Sequence, residues 1–221
     1  REGQFLVVEF RADAEVALRG RNQRALEPPL VLLHGFSDSG RCWLPIAEEL
    51  QEYDLILPDA RGHGLSARVQ PEQSIDPVAA IAGLIEALGL DRPIVGGHSM
   101  GAMTTSRRGA RHPNLVRALL LEDPPWFIGR PQLPRAAHLK DSPLGNWILE
   151  VQSQSLEQVL AQCRSDHPAW SEATARYWCE GKFQLDPNFL TSRNVFEGNW
   201  QDDVSAYACP VLLVRPPHLP Q

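Results

Sequence analysis

The sequence lacks the usual marks of a metal, disulfide, nucleic-acid or membrane protein. Its 221 residues include four cysteines, Cys42, Cys163, Cys179 and Cys209, and no two of them form a C-x-x-C pair. Neither a zinc site nor a dense disulfide framework is signalled, and free, mostly buried thiols are expected. Lysine and arginine form no continuous stretch, Arg107-Arg108 being too short for a footprint, and the net charge is −6. A polyanion partner such as nucleic acid is therefore not expected. The apolar runs are far too short to span a bilayer, so no membrane contact is expected. No basic-then-apolar leader opens the chain, which places it by default in the cytoplasm. Internal repeats and low-complexity tracts are absent too. Hydrophobic residues make up 43% and charged residues 22%, a globular composition of a size for one domain, or one domain with a large insertion. The 19 prolines point to many short, sharp connections.

Seven apolar segments bounded by turn residues read as strands: 5–10, 15–18, 30–33, 55–57, 94–95, 118–121 and 211–214. Segments 30–33 and 118–121 are apolar without alternation, the pattern of strands buried on both faces of a parallel sheet. Helices must then cover both faces. The clearest helix has Asp76 as N-cap and Pro77 at its first position, apolar Val78, Ile81, Leu84, Ile85 and Leu88 on one side, and Gly89 as its stop. The fold class expected is α/β, a mostly parallel sheet flanked by helices. From Pro124 to about Tyr207 the strand rhythm stops. Helix-like stretches at 156–164 and 172–180 stand between Pro143, Pro168 and Pro187, which read as breaks. This stretch carries five of the six tryptophans: Trp126, Trp147, Trp170, Trp178 and Trp200. They suit the wall of an apolar pocket, or else glue short helices to the sheet.

The most informative motif is Gly97-His98-Ser99-Met100-Gly101, a G-x-S-x-G between an apolar run at 93–96 and a helix-compatible stretch at 101–110. On a tight strand-to-helix elbow a serine is exposed as a nucleophile, and small neighbours are needed where a β-carbon would clash. Ser99 is thus the candidate nucleophile. The oxyanion formed on attack needs preorganised donors. The strand at 30–33 runs into His34-Gly35-Phe36, a glycine-containing loop able to aim one N–H at the elbow. Met100, opening the next helix, would supply a second.

The strings PLVLLHGF at 29–36, LPDARGHGLS at 57–66, IVGGHSMG at 94–101 and LLLEDPPW at 119–126 together resemble the α/β-hydrolase fold superfamily, in particular its single-domain members with a helical cap. The resemblance implies that Ser99 is nucleophile and that Phe36 and Met100 give the oxyanion N–H groups. It also makes 59–66, with Asp59 and His63, a structural loop. Asp123 occupies an alternative position from which some members supply the acid; it equally suits a cap of the turn before Pro124-Pro125. His98 and Trp126 are assigned to the substrate pocket, with packing rather than proton transfer expected of His98, because its place beside Ser99 on the elbow turns its side chain away. The superfamily order is nucleophile, acid, histidine. After Val214 the sequence shows only Arg215 and a proline-rich stretch containing His218, so the chain reads as C-terminally truncated, with its base missing.

The implied organisation is a first part of the core at 1–123, a helical cap insertion at 124–207 and a last core strand at 208–221. The implied activity is a cofactor-independent serine hydrolase of a small apolar ester or related acyl substrate, through an acyl-enzyme on Ser99, with no metal. The alternatives are a catalytically incomplete member lacking acid and histidine, or a carbon-carbon hydrolase or haloperoxidase-like member. Arg107, Arg108 and Gly109 interrupt the helix after the elbow, and either they face solvent or the domain is marginal, since a mid-helix glycine costs about 1 kcal/mol. An unpaired last strand would leave an edge through which a homodimer could form.

Overall fold

The computed structural model describes residues 5–10, 15–20, 27–126, 139–192 and 199–215. His138, His218 and residues 216–221 lie outside them. All seven expected strands are present: β1 (Phe5–Phe10), β2 (Glu15–Gly20), β3 (Leu30–Leu33), β4 (Leu55–Asp59), β5 (Ile94–His98), β6 (Ala118–Glu122) and β7 (Val211–Val214). They form one sheet in the order β1-β2-β4-β3-β5-β6-β7. β1 and β2 are an antiparallel pair beside β4, and β3 to β7 run parallel. The α/β architecture expected from the sequence is therefore the one observed.

The helices are α1 (Leu44–Ala47), α2 (Pro77–Ala87), α3 (Met100–Arg111), α4 (Pro143–Gln152), α5 (Leu156–Asp166), α6 (Glu172–Gln184) and α7 (Trp200–Ser205). Because side chains alternate along a strand, β3 and β4 each contribute to two cores. Val31, Leu33, Ile56, Val95, Leu119 and Leu121 pack with Ile81, Leu84 and Ile85 of α2 and Ala102 of α3. Leu30, Leu32, Leu55 and Leu57 point the other way, onto Trp43 and Ala47. α2 begins as its sequence dictates: the Asp76 carboxylate accepts from the N–H of Val78 (3.0 Å) and Ala79 (3.1 Å). Gly89, at φ 61°, lies just beyond its C-terminus in the left-handed region.

Helices α4, α5 and α6 enclose a small core of their own around Val151, Val159, Leu160, Cys163, Ala175 and Cys179. α7 lies instead along α3, where the Ser106 and Tyr207 hydroxyls meet at 2.5 Å and Arg107 reaches Asp203. Pro143 does not break a helix as its position suggested. It is the first residue of α4, capped by the Ser142 hydroxyl, which accepts from the Gly145 N–H at 3.1 Å. The four cysteines are free, with Cys163 and Cys179 buried.

Arg107 and Arg108 do not face solvent, being 6% and 2% exposed. Gly109 explains how α3 lies so close: a β-carbon there would overlap the Leu119 side chain, so the glycine permits the helix to press onto β6. Among the described residues, Nε and Nη1 of Arg108 meet no hydrogen-bond acceptor, and burial lowers that guanidinium's pKa from its ordinary value.

Candidate functional site

The chain leaves β3 towards β4 on one side, while β5 pairs with β3 on the other. The ends of β3 and β5 therefore flank the topological switch point of the sheet, where open α/β sheets leave a crevice at the carboxyl ends of their strands. His34-Gly35-Phe36 follows β3, and Ser99 follows β5.

Ser99 has φ 49° and ψ −110°, a conformation an L-residue rarely holds, and it caps α3 without a side-chain bond to the helix. Packing on both flanks imposes this conformation. A β-carbon on Gly97 would sit on the Gly101 carbonyl, and one on Gly101 would sit on the Leu33 carbonyl oxygen and 2.7 Å from that of His34. The start of α3 thus passes directly under the loop that leaves β3. The Ser99 N–H donates to the Glu122 carbonyl at 2.9 Å, tying the turn to β6. Met100 is the first residue of α3, where N–H groups have no partner within the helix. Neither its N–H nor that of Phe36 has an acceptor among the described residues.

The loop after β3 is braced by His34, 2% exposed. Its Nε2 accepts from the Ala60 N–H at 2.9 Å, and its Nδ1–H donates to the Gly35 carbonyl at 2.8 Å. Gly35 admits the His98 ring, since a β-carbon on Gly35 would lie 2.6 Å from His98 Nδ1. His98 accordingly packs on this loop.

Asp59 serves the scaffold. Its carboxylate accepts from the N–H of Gly40 (2.7 Å) and Leu65 (2.8 Å), and it fills the space a side chain at Gly64 would need. His63, fully buried, donates from Nδ1 to the Arg61 carbonyl at 3.1 Å, and its ring meets Phe189 edge-on at 4.5 Å. Burial, and then the nearby His34, push its pKa well below the ordinary imidazole value.

Asp123 stands one residue beyond the His98–Glu122 pair of the parallel ladder, level with Ser99 on the neighbouring strand. It too is held at positive φ, 43°, and its N–H donates to the Val214 carbonyl at 2.8 Å. Trp126 stacks on Trp200 at 5.1 Å and packs against the Leu119–Leu121 side of the sheet core. An apolar cluster covers the turn. Met100, Phe189, Leu190, Ile148 of α4 and Leu185 pack with Phe36 and Ala60, so residues beyond β6 reach the start of α3. A cavity of about 40 Å³ beside Met100, Gly101, Ile81 and Phe189 is room for a small group. Trp147 and Trp178 line a separate cleft of about 200 Å³ with Cys163 and His167. Burial, and then the neighbouring Cys163, push the pKa of the Cys179 thiol up to about 12. Among the described residues no group of three or more His, Cys, Asp or Glu could hold a metal, and no helix is long and apolar enough to cross a membrane.

Residues 30–219 match the alpha/beta hydrolase family. The chain belongs to that family. Among curated proteins it is similar to Lipase 3 of Moraxella sp. (strain TA144), 31% identical over 138 residues, 60% of this chain and 44% of that protein. It is also similar to Lipase LipV of Mycobacterium tuberculosis, 35% identical over 95 residues, 43% of this chain and 36% of that one. The matches therefore span less than half the length of these relatives. Of solved structures, carboxylesterase CesB from Bacillus subtilis superposes with a TM-score of 0.68 at 18% identity, over 95% of this chain and 72% of that one. At that identity the likeness shows the fold.

Two features were not legible in the sequence. The braces from His34 to Ala60 and from Lys182 to Asp38 join residues 26 and 144 positions apart, and no local pattern announces either.

Proposed function

We propose that the protein is a cofactor-independent serine hydrolase acting on a small, fairly apolar ester or related acyl group. The observation that carries the reading is Ser99, held at φ 49° by packing on Gly97 and Gly101 directly beneath the His34-Gly35-Phe36 loop. Ser99 Oγ attacks the acyl carbon. The N–H groups of Met100 and Phe36 donate to the oxygen as it becomes negative, helped by the positive end of α3. The Ser99 hydroxyl proton passes to the departing alkoxide oxygen as the C–O bond of the ester breaks, releasing the alcohol; water then adds to the acyl-enzyme, giving the carboxylic acid and returning a proton to Ser99 Oγ. The apolar cluster of Phe36, Met100, Ile148 and Phe189 favours an apolar acyl chain, and the lipase and carboxylesterase names of similar proteins agree with an ester. Asp123, level with Ser99, is the proposed acid.

With a p-nitrophenyl ester the intact protein releases a burst of p-nitrophenol equal to its active-site concentration, then turns over steadily. Ser99→Ala shows neither phase. Turnover that survives Ser99→Ala sinks the reading.

A second reading is a member that binds ligand at this site without catalysis. One observation favours it: among the described residues no hydrogen bond joins an imidazole to Ser99, and the two fully buried imidazoles near the site, His34 and His63, are bonded to backbone groups. Saturable ester binding with no burst would select it.

A further inference from the structure

The loop that carries the Phe36 N–H is gripped from the far side by α6. It is a tight, strained segment: Ser37 has φ 62°, and the Asp38 N–H turns back to the Gly35 carbonyl at 3.2 Å. Against it lies Gly181, whose missing β-carbon would stand 2.9 Å from the Ser37 carbonyl oxygen and 3.0 Å from Asp38 Cα. The backbone of α6 therefore touches the backbone of the loop. Beside it Lys182, 2% exposed, donates from Nζ to Asp38 Oδ1 at 2.5 Å and to the Ser37 carbonyl at 3.3 Å. The same ammonium lies 4.1 Å from the centroid of the Trp178 ring. At the loop's outer end Arg41 pairs with Glu180 at 2.9 Å and stands over Tyr177 at 4.5 Å. Four residues of one helix, Tyr177, Glu180, Gly181 and Lys182, thus hold a loop some 140 positions away in sequence.

An ammonium taken out of water is expensive, and an apolar contact of the same volume would serve adhesion at least as well. What a charged pair adds is direction. Lys182 bonds a side-chain oxygen and a main-chain oxygen of adjacent residues at once, and that fixes the orientation of the Ser37–Asp38 peptide close to the Phe36 N–H.

We infer that Lys182 and Asp38 are positioning residues: their ion pair, seated on Gly181, locks the loop to α6 and sets the aim of the Phe36 N–H at the oxygen of the reacting acyl group. This rests on the proposed role of Phe36 as an oxyanion donor. Such a donor acts only when it already points at the place where charge develops, and misplacement by about 1 Å costs about 100-fold.

The test uses the intact protein with Lys182→Met, Lys182→Arg, Asp38→Asn and Gly181→Ala, the last displacing the loop with no change of charge. Three quantities are read: amide hydrogen exchange over residues 35–41, kcat and KM for a p-nitrophenyl ester, and Ki for a trifluoromethyl ketone that forms a tetrahedral oxyanion on Ser99. Lys182→Met, Asp38→Asn and Gly181→Ala should speed exchange in that segment and lower kcat about 10- to 100-fold with KM within about twofold. Ki should rise by the same factor as kcat/KM falls, and Lys182→Arg should recover part of each change. Unchanged exchange in the folded variants overturns the inference, as does a loss confined to KM or a Ki that does not follow kcat/KM. If Lys182→Met does not fold, Asp38→Asn and Gly181→Ala carry the same decision. Should the wild type itself form no ketone adduct, the serine-hydrolase reading fails, whereas the exchange data still decide whether the pair holds the loop.

Discussion

Ser99 and Asp123 end neighbouring parallel strands at the same level, and both are non-glycine residues at positive φ, yet they are supported very differently. The Ser99 turn is enclosed. Backbone presses on it at Gly97 and Gly101, and its strand is buried between β3 and β6. Among the described residues the Asp123 turn is tied by the hydrogen bond from its N–H to Val214 of β7, a strand exposed by 40 to 58% at all four positions. Steric contact over-determines the first conformation. The second depends on whatever holds β7 in place. Strain that persists at a functional site needs such over-determination, so the two turns should answer differently to mutation.

The largest expected effect breaks the better-supported side. Gly97→Ala or Gly101→Ala sets a methyl group on backbone that cannot yield, and each should cost at least about 3 kcal/mol in denaturant unfolding or prevent folding. Next, Leu121→Ala in buried β6 should cost about 2–5 kcal/mol, whereas Leu213→Ala on exposed β7 should cost under about 1 kcal/mol. Similar losses at the two positions would erase the contrast. Arg108→Met replaces a buried guanidinium, two of whose nitrogens have no acceptor among the described residues, with an apolar chain of like shape. A gain of about 1 kcal/mol in unfolding free energy is expected.

The smallest effect is on pH dependence. His63 has a folded pKa below its unfolded one, so the unfolded chain takes up the proton first as pH falls. Its contribution is fully present above the ordinary histidine value of about 6.5 and is lost as pH drops from there through the depressed folded value. The stability of the wild type relative to His63→Phe should therefore shrink between about pH 7.5 and 5.5, and a constant difference would remove His63 from the account.

Much of the fold was readable because its signals are local. Asp76-Pro77 and Gly89 bound α2, the unbroken apolar run at 30–33 marks a strand buried on both faces, whereas the run at 118–121 alternates between buried and half-buried residues, and Gly97 and Gly101 flank a turn that tolerates no side chain. Where a residue's role depends on distant partners, the sequence misled. Ser142-Pro143 carries the same start signal as Asp76-Pro77, but Pro143 read as a break in a stretch without strong periodicity. The arginines of α3 read either as solvent-facing or as the mark of a marginal domain, since nothing nearby shows that Gly109 lets the helix sink onto Leu119 and that α7 covers its other side. In the site, the serine turn and the loop after β3 were legible from their glycines. Their supports were not: His34, Asp38 and Lys182 act through contacts that exist only once the sheet and α6 have assembled.

The central claim, that packing presents Ser99 as a nucleophile, is tested most directly by treating the intact protein with a fluorophosphonate and locating the adduct by peptide mass. The account predicts one adduct, on Ser99, absent from Ser99→Ala. An unlabelled Ser99 in folded protein, under conditions that label a control serine hydrolase, would contradict it.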